Sequence, residues 1–290
     1  KSTRRPRNLM KTPLDTPLIT IVVAVLNAKA TISRCIESIV SQTLASVELI
    51  VIDGASTDGT VEQITAYGNT INHFESGPDI GIYDAWNKAL PHISGEWVLF
   101  LGSDDYLESH DVLAQAAVAL QHVGSDTRIA YGRVRRVSAQ TGGDDCTIGE
   151  PWEQASTRLW HHSPIPHQGT FHRSSLFRDH GPFDPSFKIA GDYEMLLREL
   201  KTHSATFIPD PPIISVMQQG GISTGGFSGL QILTELRRAQ ERHGHSHGAA
   251  FWLSAQIKAL TRMLIGAVLG RKHGYAFIKL WRRICGAKTY

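Results

Sequence analysis

Trp97-Val-Leu-Phe-Leu-Gly-Ser-Asp-Asp105 decides the reading of this 290-residue chain, because an unbroken apolar run ends there in two adjacent carboxylates. A short apolar run bounded by turn residues is the pattern of a strand covered on both faces. Carboxylates just beyond it stand where hard oxygen donors can grip a divalent cation and a phosphate. A second such run, Val47-Glu-Leu-Ile-Val-Ile52, is followed by Asp53. Ligands of open α/β sheets bind beyond the carboxyl ends of the strands, so two strands that both finish in Asp point to one shared crevice.

Working outward, Leu18–Leu26 is rich in β-branched residues, follows Pro17 and reads as a buried strand. Basic residues from Lys1 to Lys11 and the triplet Ala28-Lys29-Ala30 give it a superficial likeness to a signal peptide, but it leads straight into a helical pattern. Thr31 can cap that helix, with Ile32, Ile36, Ile39 and Val40 on one face. Asp58-Gly59 supplies a turn, and Thr60-x-x-Gln63 has the spacing of a capping box. The pattern continues with a short strand near Thr70–Phe74, a helix from about Tyr83 to Leu90, the strand Trp97–Leu101 and a helix over Asp111–Val123 with Val112, Leu113, Ala116 and Leu120 inward. Strands alternating with helices imply an α/β fold, a mostly parallel sheet covered on both faces. After Ile129–Val137 the regularity fades, and Ser138–Pro151 reads as a surface excursion. Asp192 can cap a further helix, Gln219–Ser223 reads as a flexible loop, and the chain beyond Gly229 is helical with a break at His243-Gly-His-Ser-His-Gly248. The expected organisation is a body over 1–228, in halves of about 18–125 and 126–228, and a basic helical region over 229–290.

With 41% hydrophobic and 19% charged residues the composition is that of a soluble globular protein. Cys35, Cys146 and Cys285 form no close pair, which argues against a disulfide framework or a zinc site and fits a reducing compartment. The net charge of +2 conceals an asymmetry: residues 229–290 hold eleven Lys/Arg against Glu235 and Glu241, so the remainder is acidic. Within Ala249–Leu269, Ser254, Lys258, Thr261 and Arg262 make one polar stripe on an otherwise apolar helix. With Phe251 and Trp252, and Trp281 beside Lys279, Arg282 and Arg283, this suits a helix lying in the headgroup region of an anionic bilayer. The alternative is that these helices pack on the body or on a second subunit; a homo-oligomer is compatible with the sequence. No stretch of about 18 residues is free of charge, so no spanning helix is expected.

The order of five motifs resembles the family-2 glycosyltransferases of the GT-A fold over about residues 18–225. The matching texts are Ile19-Thr-Ile-Val-Val-Ala-Val-Leu-Asn27, Glu48-Leu-Ile-Val-Ile-Asp-Gly-Ala-Ser-Thr-Asp-Gly-Thr60, Asp79-Ile-Gly-Ile-Tyr-Asp-Ala-Trp-Asn-Lys88, Gly95-Glu-Trp-Val-Leu-Phe-Leu-Gly-Ser-Asp-Asp105 and Gly191-Asp192. The resemblance implies a GT-A-type, Rossmann-like sheet sandwiched by helices with a C-terminal helical extension. It implies a donor site drawn from Asn27, Asp53, Asp58, Asp79, Asn87, Lys88 and Asp104. Asp53 would accept a hydrogen bond from the nucleobase; Asp58 would contact the nucleotide or shape its loop; Asp79–Lys88 would lie over the ribose and diphosphate, with Lys88 alternatively a solvated surface residue. Where the fuller family text has an Asp, Gly102 stands, so metal and ribose contacts fall to Asp104 and Asp105. Mn²⁺ or Mg²⁺ is the expected ion, as a hard cation that neutralises a diphosphate. Asp192 would be the catalytic base of an inverting transfer, although Gly191 stands where the family usually has an acidic residue, and an N-cap is the competing role. His167 and Gln168 match an acceptor-side position and Tyr193 could stack on a sugar, though aromatic and histidine side chains at such spacing also build cores.

The resulting expectation is a metal-dependent transferase that moves a sugar from a nucleotide diphosphate, UDP being the first choice, to a glycan or a polyprenyl or other lipid-linked acceptor in cell-surface polysaccharide synthesis. It would sit in the cytoplasm, peripheral on the inner face of the plasma membrane; no nucleic-acid partner is expected. Three other readings compete. A dinucleotide-dependent oxidoreductase needs a Gly-x-Gly-x-x-Gly loop where Asn27-Ala-Lys-Ala30 stands. A nucleotidyltransferase needs a Gly-rich basic loop at the same place. A non-catalytic sugar-nucleotide-binding subunit would have little use for Asp104, Asp105 and Asp192 together.

Overall fold

The computed structural model describes residues 17–138, 144–219, 228–261 and 263–265. Strand and helix alternate through β1 (Ile19–Val25), α1 (Ile32–Val40), β2 (Val47–Asp53), α2 (Thr60–Thr65), β3 (His73–Ser76), α3 (Ile82–Ala89), β4 (Trp97–Gly102), β5 (Tyr106–Leu107) and α4 (Val112–Gln121). There follow β6 (Ile129–Tyr131), β7 (Val134–Ser138), β8 (Asp144–Ile148), α5 (Trp152–Ala155), β9 (Thr170–Arg173), α6 (Ser175–His180), α7 (Gly191–Leu200), β10 (Thr206–Phe207), β11 (Ser215–Gln219) and α8 (Ser228–Arg242). A further helix, α9, covers 249–261 and 263–265.

Seven strands form the main sheet in the order β10-β6-β9-β4-β1-β2-β3, parallel except for β9, which runs antiparallel between β4 and β6. At the centre, β1 is buried along its whole length. Ile19, Ile21, Val23 and Val25 pack with α1 and α4, and Val22 and Ala24 pack on the opposite face with α3 and α7. This two-sided burial is why its sequence shows no polar alternation. Ala24 pairs with both Ile52 and Gly102, and Val25 pairs with Asp53, so three strands end level. The loops after β1, β2 and β4 therefore leave the same edge of the sheet. A smaller sheet, β5-β11-β7-β8, is tied to that edge by the pairing of Tyr106 with Val216.

Several local expectations are corrected. Val40 is 41% exposed, and Cys35 completes the buried face of α1 instead, since at about 100° per residue it lies about 40° beyond Ile39 on the side away from Val40. The Thr60–Gln63 capping box does not form: Gly59 is the N-cap with φ of +100°, Thr60 N donates to Asp58 Oδ1, and Gln63 accepts from the Ser33 hydroxyl. β3 starts at His73 because Gly68–Thr70 make a 3₁₀ turn. The expected excursion over Ser138–Pro151 contains β8, an edge strand that lacks the two-sided apolar signal of a buried one. Helix α7 has Ala190 as its N-cap, which puts Asp192 inside the first turn rather than at the cap.

Helix α8 packs back onto α7, with Ala239 and Gln240 fully buried and Gln240 Nε2 donating to Tyr193 Oη at 3.2 Å. Residues 243–248 break the helix as the Gly/His/Ser text foresees. The loop expected over Gln219–Ser223 lies, from 220 onward, outside the described residues, as do Arg262 and the basic and aromatic residues of 266–290. Among the described residues no helix is long and apolar enough to cross a membrane.

Candidate active site

A cleft of about 1250 Å³ opens at the edge where β1, β2 and β4 end. One wall includes Asn27, Asp58 and Asp79, its floor includes Asp104 and Asp105, and His167, Gln168 and Asp192 face in from the second half of the chain. Four expected site residues, Asp53, Asn87, Lys88 and Tyr193, are not among the residues lining it. Tyr193 is a core residue, 1% exposed, whose hydroxyl donates to Leu159 O. Asn87 forms a two-way bridge with the backbone of Phe183, at 2.8 and 2.9 Å, and Lys88 donates to Pro78 O at 2.6 Å.

The loops after β1 and β2 are clipped together by side chains. Asn27 takes the left-handed conformation with φ of +48°; its N–H donates to Ser56 Oγ at 2.7 Å and its Oδ1 accepts from Thr57 N at 2.9 Å. Asn tolerates this conformation better than most residues. Asp58 Oδ2 accepts from Lys29 N at 3.0 Å, and its Oδ1 accepts from the hydroxyl and the N–H of Thr60. The Thr60 hydroxyl bond holds the Asp58 carboxyl below the usual range. Beneath these loops Asp53 is fully buried, its Oδ2 accepting from Ser56 N and Ser76 Oγ while its Oδ1 has no donor.

At the floor, the two neighbouring carboxylates crowd the space above Gly102. A β-carbon there would lie 2.9 Å from Asp104 Oδ1 and 3.0 Å from Asp105 Oδ2, so the missing Asp at 102 is matched by side chains that fill its place. Asp105 Oδ2 accepts from Gly102 N at 3.2 Å and Oδ1 from Gln218 N at 3.2 Å, while Arg34 holds the Asp104 carbonyl at 2.9 Å. Burial, with the charge of Asp104 added, pushes the Asp105 carboxyl up to about 8. A buried carboxylate beside a like charge is stabilised by a cation, and two hard oxygen donors with room for phosphate oxygens fit Mg²⁺ or Mn²⁺. Among the described residues a different group, His73, Glu75 and His92, brings three donor atoms within 4.8 Å. It lies outside the cleft wall, and its two rings stack at 3.6 Å and 16°, so their in-plane lone pairs run nearly parallel instead of converging.

Across the cleft Asp192 is held by α3. The Tyr83 hydroxyl lies 2.7 Å from Ile189 O and 3.2 Å from Asp192 Oδ1, and the Asp192 side chain keeps 22% of its surface exposed. Desolvation raises its carboxyl to about 6, against the lowering hydrogen bonds of Tyr193 N and Tyr83. A carboxyl in that range is half deprotonated near pH 6 and mostly ionised at neutrality, the state a general base needs. Asp192 Oδ2 is 3.9 Å from Nδ1 of His167, whose ring stacks on Trp86 at 4.6 Å. Burial lowers the His167 imidazole to about 3, leaving it neutral, and neither ring nitrogen has a partner. A buried polar atom without a partner costs about 1–3 kcal/mol, a deficit that a ligand hydroxyl would remove.

Tyr83, Trp86, Lys188 and Gln218 also face the cleft, and sequence reading did not single them out. Tyr83 and Trp86 stand within the quoted Asp79–Lys88 text and are three apart, one helix face, a signal that was available. Lys188 and Gln218 carry no local pattern; Lys188 reaches the wall through a loop, its ammonium 2.5 Å from Ile80 O, and Gln218 through β11.

The sequence profile described as "Glycosyl transferase family 2" matches residues 20–176. A PGL/p-HBAD biosynthesis glycosyltransferase of Mycobacterium bovis is 31% identical over 188 residues, covering 63% of this chain and 69% of that protein. Chondroitin synthase of Pasteurella multocida is 28% identical over 184 residues, 63% of this chain but 19% of that protein. Among solved structures, residues 1–349 of S. aureus TarS in complex with UDP-GlcNAc superpose with a TM-score of 0.60 at 17% identity, covering 83% of this chain and 71% of that one. The chain spans 42% of the longer TarS structure. The mannosyltransferase PcManGT of Pyrobaculum calidifontis, in complex with GDP-Man and Mn²⁺, has a TM-score of 0.61 at 16% identity, covering 97% of this chain and 84% of that one.

Proposed function

Because the chain belongs to glycosyltransferase family 2, as a nucleotide-sugar-dependent glycosyltransferase with a GT-A-like fold, we propose that it performs an inverting, metal-dependent transfer with Asp192 as general base. The observation that carries this reading is that Asp192 and the Asp104-Asp105 pair, 87 positions apart in sequence, line one cleft. The acceptor hydroxyl gives its proton to the Asp192 carboxylate as its oxygen attacks the anomeric carbon on the face opposite the diphosphate. The bond to the diphosphate oxygen breaks with its electron pair, and Tyr83 keeps the base oriented. A divalent ion held by Asp104 and Asp105 would neutralise the charge that gathers on the departing nucleoside diphosphate.

Asn27 and Asp58 shape the nucleotide side of this site, with Asp79 toward the ribose and diphosphate. Asp53 would take the nucleobase N–H on its unpaired Oδ1 only once the loops above it part, since that oxygen is buried outside the cleft wall. Asn87 and Lys88 serve the scaffold rather than the donor. His167 and Gln168 face the acceptor, and the neutral imidazole suits sugar hydroxyls. UDP-sugars are the first choice of donor. The acceptor we propose is a glycan or lipid-linked sugar of a cell-surface polysaccharide, reached from the cytoplasmic face of the membrane. In support, Leu253, Ile257, Leu260 and Leu264 of α9 are 59%, 55%, 51% and 66% exposed and form one apolar stripe about 110° round the helix from the buried Trp252. Residues 229–290 bear a large positive excess suited to anionic lipid.

Thermal shift with UDP, GDP, TDP and CMP, each with and without Mn²⁺, tests the donor half of this proposal. A nucleoside diphosphate should raise the melting temperature more with Mn²⁺ than without, and Asp104→Asn or Asp105→Asn should abolish that increment. An undiminished increment in both variants would overturn the assignment. NMR of the product should show the anomeric configuration opposite to the donor's, and retention would exclude an inverting route.

A further inference from the structure

Glu235 lies in the middle of α8, far along the chain from every family motif, yet its carboxylate is 7% exposed and aimed at the loop that carries Asp192. Its two oxygens accept from three consecutive backbone N–H groups: Lys188 at 3.0 and 3.1 Å, Ile189 at 2.8 Å and Ala190 at 2.9 Å. Gln231 Nε2, one turn earlier on α8, adds a fourth bond at 3.1 Å. Lys188–Ala190 run directly into the first turn of α7, where the N–H groups have no partner within the helix. No side chain of α7 itself caps that end. The N–H groups leading up to that end are instead gathered from a different helix, some 45 residues later in the chain.

The same three residues hold the machinery of the site. Ile189 offers its carbonyl to the Tyr83 hydroxyl that reaches Asp192. Lys188 lines the cleft and ties Ile80 to it. Ala190 is the N-cap two residues before the base. Gly191 lies directly under the ring of Tyr83, where a β-carbon would come within 2.8 Å of it. We propose that Glu235 is a positioning residue for the transfer: by gathering the N–H groups of Lys188, Ile189 and Ala190 it sets the place and the charge environment of Asp192, so that α8 is a working part of the active site. This rests on the reading of Asp192 as the base.

Charge supports the geometry. Burial would raise Glu235, but the bonds from Ala190, Ile189 and Lys188 outweigh it and keep the carboxyl below its ordinary value, hence ionised. That charge is one of the influences that lift Asp192. The other titratable groups facing Asp192 are Tyr83 from α3, His167 from the turn before β9 and Lys188 from the loop before α7. The first stays protonated and the second neutral at working pH.

Two substitutions in the full chain separate geometry from charge. Glu235→Asp keeps the charge but is one methylene short of the three donors, so kcat should fall at least tenfold while the acidic limb of the rate profile stays near pH 6. Glu235→Gln keeps the length but turns an amide toward backbone N–H groups, so kcat should fall and the acidic limb should move to lower pH. In both, the melting-point rise produced by UDP with Mn²⁺ should persist, which reports an intact donor site. A side chain that merely fills space would leave the limb unmoved. Both variants within twofold of the parent kcat, with an unshifted limb and an inactive Asp192→Asn control, would overturn the positioning role alone. Full transfer by Asp192→Asn would instead remove the base reading and this inference with it.

Discussion

Gly191 has no side chain because the ring of Tyr83 occupies the space, its atoms 2.8–2.9 Å from where a β-carbon would be. Gly191→Ala should therefore displace the ring, weaken the contact of its hydroxyl with Asp192 and destabilise the fold by about 1–3 kcal/mol through overpacking. Urea unfolding reads this directly, and an unchanged midpoint would show that the ring yields freely. The same residue explains a departure that the sequence left open: the acidic residue usual at 191 is absent, and a tyrosine from another helix stands in that volume. Asp192 itself fixes a pH dependence. Its carboxyl, raised to about 6 by desolvation, must be ionised to accept a proton, so kcat should rise tenfold per pH unit below about 6 and level off above it. A profile with no acidic limb between pH 5 and 7 would contradict the assignment. The Asp104-Asp105 pair was legible because carboxylates at a strand end leave a mark in the text, whereas Asp53, at another strand end, is buried outside the cleft wall. His167 was legible only as a candidate, since burial and two unpartnered nitrogens are properties of the folded site.

Helix α3 shows what a run of letters conceals at the level of an element. One step of 100° separates neighbours, so Trp86 faces the cleft, Asn87 turns to Phe183 and Lys88 points to Pro78. The text Asp79–Lys88 identified the helix, whereas only its rotation about its own axis says which residues meet the donor. Asn87→Ala removes both hydrogen bonds to Phe183 and should cost roughly 1–3 kcal/mol of stability, with the KM for the donor unchanged. A raised donor KM at unaltered stability would return Asn87 to the nucleotide site. Strands tell the complementary story. β1, β2 and β4 were readable because central strands are apolar on both faces; β8 was not, because an edge strand needs only one buried face.

In the whole molecule, a glycosyltransferase body is completed by helices that the basic composition had set apart as an appendage. α8 is packed into the core and α9 presents Leu253, Ile257, Leu260 and Leu264 outward. Full-length protein with Ile257→Glu and Leu260→Glu should lose binding to anionic phospholipid vesicles, and the parent should bind zwitterionic vesicles weakly. Vesicle binding that survives both changes would exclude α9 as the contact, while loss of a dimer in light scattering would assign the stripe to a second copy of the chain. The proposed transfer sets one sugar between carboxylates that distant stretches bring to the cleft. It is tested most directly by the single-turnover transfer rate of Asp192→Asn at saturating donor and Mn²⁺. The rate should fall roughly 10²–10⁴-fold with nucleotide binding retained; a rate equal to the parent's would contradict the account.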